Sequence, residues 1–133
     1  MFSMTVTPRF YETDALGHIN NTVISNWFEA AREPVFRIFN ATLALDAWNI
    51  ILARVAIDYV AQTHYGKPVE VRSWIGHIGN SSFVVEQEAW QDGVCVARGS
   101  AVQVFFNYET QKSEPIPAHF RAQLETHVAS PAA

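Results

Sequence analysis

One short run of this chain concentrates residues able to do acyl chemistry. It reads Tyr11-Glu12-Thr13-Asp14-Ala15-Leu16-Gly17-His18-Ile19-Asn20-Asn21. Asp14 supplies a carboxylate, which can act as a general base on water or attack a carbonyl directly. The asparagine pair Asn20-Asn21 has the composition of a helix N-cap. A helix start presents free backbone N–H groups and the positive end of the helix dipole, which favour an anion or a developing oxyanion. A carboxylate a few residues ahead of such a start is what acyl transfer to water requires. The same residues also suit a plain turn-and-cap role, because Asp and Asn in polar loops commonly bond their own backbone. On spacing alone both readings of Asp14 stand.

Two elements must position this loop. Ahead of it, Thr5 to Tyr11 reads as a short strand, with Pro8 marking an edge or a strand end. After it, Ile24, Trp27, Phe28, Ala31, Val35 and Ile38 recur at spacings of three and four. That places them on one helix face. Phe36 and Phe39 widen the apolar surface, so the helix is largely buried. Pro34 has no N–H for residue 30, so it kinks the helix or splits it in two.

The rest of the chain alternates with a period of two. A strand spans Asn49 to Gln62, with Ile51, Ala53, Val55, Ile57, Tyr59 and Ala61 on one expected buried face. A turn at His64 to Pro68 follows, then a strand through Val69, Val71 and Ile75. Gly79 to Ser82 breaks it, and Phe83 to Trp90 forms the next strand. Asp92-Gly93 is a tight-hairpin pair, and Val94 to Phe106 is the last long strand. Pro115 and Pro117 end regular structure, with a short helix around His119 to His127. One strand, a buried helix and four further strands joined by turns imply an antiparallel sheet curled around the helix.

Composition excludes several classes of function. The 133 residues suit one domain over 1–133, with a core of about 4–118 and a short C-terminal tail or helix. With 49% hydrophobic and 17% charged residues the chain is ordinary globular material. A net charge of −4 argues against a nucleic-acid partner. No apolar stretch approaches the length of a membrane span, and the first residues lack signal-peptide character, so the cytoplasm is the expected compartment. The single cysteine, Cys95, reads as a small hydrophobe in an apolar run. The five histidines show no metal-ligand spacing, so no metal and no cofactor are expected. Gly79-Asn80-Ser81-Ser82-Phe83 begins like a nucleophile elbow but lacks the closing glycine.

The loop, continued by Trp27-Phe28-Glu29-Ala30-Ala31-Arg32, resembles the motif of the 4-hydroxybenzoyl-CoA thioesterase-like hotdog proteins. In that family a T-D-x-x-G-H-x-N-N loop leads into a helix carrying F-E-x-A-R. Val55 to Tyr59 and Ile78 to Phe83 also fit, so the resemblance covers about residues 4 to 118. It implies an α+β hotdog fold, an antiparallel five-stranded sheet wrapped around a central helix. It implies a homodimer joined edge to edge, alone or as a dimer of dimers, with active sites at the interface. It implies hydrolysis of an acyl-CoA thioester, coenzyme A entering as part of the substrate. The family's catalytic aspartate falls on Asp14, and the carbonyl-polarising N–H on or beside Asn21. Gly17 would let the loop pass close to the thioester.

The remaining polar residues each keep two readings. His18 orders the loop or touches Asp14 or substrate, and Asn20 caps the helix or meets substrate. Tyr59 lines the acyl pocket or fills core. Ser81 and Ser82 touch the pantetheine arm or serve their turn. Glu29 is the rival carboxylate, with a contact to Arg32 as its structural role. Asp58 suits an interface or loop contact. A hotdog hydratase or dehydratase is the alternative enzyme, although His18 is four residues after Asp14 and no Asn-Pro lies between, unlike the D-x-N-P-x-H pattern. A non-catalytic acyl-CoA-binding domain is the third reading.

Overall fold

The computed structural model describes residues 1–128; the end of the expected 1–133 domain, residues 129–133, lies outside them. Strand β1 (Phe2–Val6) precedes helices α1 (Asn21–Ala31) and α2 (Glu33–Phe39). Strands β2 (Ile50–Tyr59), β3 (Val69–Ile78), β4 (Ser82–Gln91) and β5 (Val94–Asn107) follow, then the two-residue β6 (Lys112–Ser113) and α3 (Ala118–Glu125). The main path of the sheet runs β1-β3-β4-β5-β2, and β6 pairs with β5. All pairings are antiparallel. The sheet curls around α1 and α2, which is the hotdog arrangement.

The expected first strand begins earlier and ends before Pro8, which has no N–H for a ladder. Phe10 and Tyr11, expected as strand, form a 3₁₀ turn with Glu12 instead. The helix divides at Arg32, which serves as C-cap of α1 and N-cap of α2. Pro34 lies in the first turn of α2, where its missing N–H costs nothing. Strands β2 and β3 are adjacent in sequence but not in the sheet, because residues 60–68 carry the chain past β5 and β4 to a place beside β1. The expected run of hairpins therefore begins only at β3. The Asp92-Gly93 turn has φ of 55° and 76°, the two left-handed residues of a tight hairpin.

The most informative departure is in β2. Its register passes from Leu52↔Gln103 to Arg54↔Val102, so Ala53 is an extra residue in a bulge. Directly paired residues share a sheet face. Ile50 and Leu52 therefore share the inner face with Val55, Ile57 and Tyr59, opposite Phe105, Gln103, Ala101, Gly99 and Ala97. Ile51 is thrown to the outer face. The uniform alternation expected from 51 to 61 fails because one bulged residue flips the parity. Nor is that inner face buried: Leu52, Val55 and Tyr59 are each more than two-fifths exposed in the single chain.

Two apolar clusters fill the curl. One packs Ile24, Trp27, Phe28 and Ala31 of α1 against Val69, Val71, Ala89 and Ala97. The other packs Val35 and Phe39 of α2 with Ile75, Phe83, Val85, Ile116 and Leu124. Phe28 fixes the height of α1 over the sheet. A Cβ on Gly99 would lie 2.7 Å from its ring, so only glycine lets the helix sit this close. We expect Gly99→Ala to cost about 1–3 kcal/mol through overpacking, read from urea denaturation. An unchanged midpoint would show that the helix is not seated on this contact.

Candidate functional site

The loop from Asp14 to Asn20 is held from three sides by backbone bonds. Asp14 N–H donates to His18 O at 2.7 Å, Ile19 N–H to Thr63 O at 2.7 Å, and Asn20 N–H to Glu12 O at 2.9 Å. Asp14 Oδ1 accepts from Leu16 N–H at 2.7 Å and His18 N–H at 3.1 Å. Gly17, at φ 79°, supplies the left-handed residue this turn needs. The carboxylate is thus oriented through Oδ1, while Oδ2 makes no hydrogen bond among the described residues and lies 4.0 Å from His18 Nδ1.

Asn20 caps α1: its Oδ1 accepts from Thr22 N–H at 3.0 Å and Thr22 Oγ1–H at 2.9 Å. Val23 N–H donates to Asn20 O at 3.0 Å. Among the described residues, Asn21 N–H has no partner, so the first turn keeps one free donor. Tyr59 Oη–H donates to Asn21 O at 3.0 Å and ties the end of β2 to the helix start.

These groups surround one open cavity of about 510 Å³. Asp14, Asn20, Asn21 and Tyr59 line it, with Ile19, Ile24 and the segment 60–63. Four of the eight expected site residues are therefore brought together. Gly17 and His18 shape the loop without lining the cavity, and His18 stacks edge-on against His64 at 5.1 Å. Ser81 lies in the β3–β4 turn and Ser82 opens β4, and their carbonyls accept from Phe105 and Gly79 N–H. Ser82 pairs with Val104, toward the Ile50 end of β2, whereas the cavity opens at the Tyr59 end. Within one chain the serines do not reach it.

Thr63 is the residue that spacing did not single out. It is 2% exposed, borders the cavity, and its Oγ1 has no hydrogen-bond partner. The only sequence signal was a polar Gln62-Thr63 pair closing an apolar alternation. The rival carboxylates lie elsewhere. Glu29 is two turns along α1 and lines a different cavity, and Arg32 bonds Gln87 instead of pairing with it. Asp58 lies opposite Arg98, on the outer face of the sheet. Burial pushes the Cys95 thiol above its ordinary value, the reverse of what a nucleophilic thiolate needs. Among the described residues, no three His, Cys, Asp or Glu side chains cluster to hold a metal ion, and no helix is long and apolar enough to cross a membrane.

The sequence pattern of the thioesterase-like superfamily matches residues 8–124. The chain belongs to that superfamily. Its chemistry is that of the thioester hydrolases. Among solved structures it is similar to a predicted thioesterase from Bacillus stearothermophilus, with 43% identity, a TM-score of 0.94 and 98% of each chain covered. A thioesterase from Thermus thermophilus, solved with coenzyme A and zinc, is 28% identical with a TM-score of 0.82. That comparison covers 92% of this chain and 96% of the other. A thioesterase superfamily member from Jannaschia is also 28% identical, with a TM-score of 0.83, covering 99% of this chain and 86% of that one. No curated protein matches the chain.

The cap is the local feature on which this thioesterase-like site depends. Replacing a capping Asn by Ala removes the acceptor for Thr22 N–H and costs about 1 kcal/mol. We expect Asn20→Ala to lower stability by that amount in chemical denaturation. No loss of stability would show that Asn20 does not order the helix start.

Proposed function

We propose that this protein hydrolyses acyl-CoA thioesters, with Asp14 acting on the thioester or on water and Asn21 N–H polarising the carbonyl. The observation that carries the reading is the shared cavity. A carboxylate with a free Oδ2 and an unpartnered N–H at a helix start face the same open space. An oxyanion forming there meets a fixed donor and the positive end of the α1 dipole. Oδ1 is occupied by two backbone N–H groups, so the carboxylate reacts from a fixed position. The Thermus relative was solved with coenzyme A, which supports a CoA-linked substrate. Such a substrate suits the cytoplasm that the sequence suggests.

The working unit in this reading is a dimer formed through β2. That strand is a sheet edge whose apolar inner face stands open in one chain. Open edges and apolar faces of this kind mark pairing surfaces. Antiparallel pairing of two β2 strands sets the Tyr59 end of one against the Ile50 end of the other. Ser81 and Ser82, near the Ile50 end, would then approach the neighbouring protomer's cavity. We expect a dimer in analytical ultracentrifugation and a shift to monomer for Val55→Asp. A monomeric parent protein would remove the shared-site part of the reading.

Asp14→Asn tests the chemistry with little disturbance of the loop, because an amide oxygen still accepts from Leu16 and His18 N–H. The parent protein is expected to release thiol from at least one class in a panel of short, medium, long and aromatic acyl-CoAs. The variant should lose about 10²- to 10⁴-fold in kcat. Equal turnover would displace Asp14 from the mechanism, and no thiol release by the parent across the panel would defeat the hydrolase reading.

A further inference from the structure

Three buried side chains under the helix junction make a polar stripe across the inner face of the sheet. Ser73 Oγ is 3.0 Å from Gln87 Nε2, and Gln87 Nε2 also donates to Phe28 O at 2.8 Å. Arg32 Nη1–H donates to Gln87 Oε1 at 3.1 Å. That leaves most of the guanidinium unused, since arginine carries five N–H donors. Its Nε is buried with no partner, although the residue is only 4% exposed. Gln103, 2% exposed on the neighbouring strand, makes no side-chain hydrogen bond to the protein among the described residues.

Arg32 and Gln103 border the same cavity of about 250 Å³. Apolar side chains, Phe36, Trp48, Ile50 and Leu52, form much of its remaining wall, with Glu29 at the rim. Burial pulls the Arg32 guanidinium below its ordinary value and the Glu29 carboxylate raises it again. Buried donors without partners cost free energy unless something in the cavity accepts from them.

This cavity lies toward the opposite end of α1 and β2 from the cavity at Asp14. Asn21, Ser25, Phe28, Glu29 and Arg32 follow helical spacing along one face of α1. The inner face of β2 runs alongside, from Tyr59 at the first cavity to Leu52 at the second. From Asn21 to Glu29 and Arg32 the helix advances about 12–16 Å. An extended chain gains roughly 1.2 Å per bond, so an acyl group of about ten to thirteen bonds spans the gap.

We propose that this second cavity is the distal acyl subsite, and that it selects acyl groups whose far end carries a hydrogen-bond acceptor, a hydroxyl or a carboxylate. The proposal rests on the thioesterase reading for the location of the thioester, and it names the substrate class of that same groove. A plain alkyl end leaves the Arg32 and Gln103 donors unpaired. An accepting end gives them a partner.

The test reads binding, so it does not depend on turnover. S-alkyl-CoA thioethers, which cannot be hydrolysed, are titrated into the protein by calorimetry as plain, ω-hydroxy and ω-carboxy chains of about ten to twelve carbons. One or both polar ends should bind about tenfold tighter than the plain chain, and which of them does so identifies the acceptor. In Gln103→Leu that preference should shrink while the thermal midpoint stays level or rises, because the replaced amide holds no protein partner. Plain chains binding as well as polar ones, failure of all three to bind, or a preference untouched by Gln103→Leu would each overturn the proposal. Loss of the hydrolase reading would instead show in the thiol-release panel, with this binding preference intact.

Discussion

The contact of Phe28 with Gly99 sets the geometry on which both ends of the groove depend. The ring lies 2.7 Å from where a β-carbon on residue 99 would be, so α1 is pressed onto the backbone of β5. With its middle fixed there, the N-terminus of α1 meets Tyr59 and Thr63 at one end of β2, and its C-terminus reaches Gln87 and Gln103. Close packing makes the contact stiff, because neither the ring nor the strand backbone can yield cheaply. A helix seated higher would separate Asn21 from the end of β2 and open the Arg32 end to water. The sheet thus acts as the template against which the ends of the helix are aimed.

Pro34 is the second constraint. A continuous helix would carry on past residue 31 and keep its carbonyls internally bonded. The break at Arg32 lets α2 take its own direction, burying Val35 and Phe39 in a separate cluster. It also leaves Phe28 O near the end of a helix, where the Gln87 amide donates to it. The buried polar stripe follows from this break, since an uninterrupted apolar helix would have no need of Gln87 or Ser73 beneath it.

Much of this was legible in the residues. The apolar spacing of Ile24, Trp27, Phe28 and Ala31 marked the buried helix, and Asn20 marked its cap, because both signals are local. Asp14 was legible as a carboxylate but not as a base, since a turn-forming aspartate has the same neighbours. The structure shows that it is also the turn-former, with one oxygen given to the loop. The parity flip at Ala53 was not legible: a bulge exchanges one residue between faces of an all-apolar run, and alternation alone cannot register it. The crossover after β2 was hidden for a related reason, as strand order depends on contacts far apart in sequence. Thr63 was invisible because what marks it is a partner it lacks.

Folded proteins leave few buried polar atoms unpaired, because each one gives up its bonds to water. Among the described residues three side-chain atoms are in this state: Arg32 Nε, Asn49 Oδ1 and Thr63 Oγ1. Asn49 keeps one bond, from Nδ2–H to Phe39 O. The other two residues border the two cavities at opposite ends of the α1–β2 groove. If these were random packing faults, nothing would place them at the ends of one path. Their location is the one expected under the sites proposed for the two cavities. The fold bears the cost of desolvating them at those two points. Both points lie along a helix that the Phe28–Gly99 contact holds against the sheet.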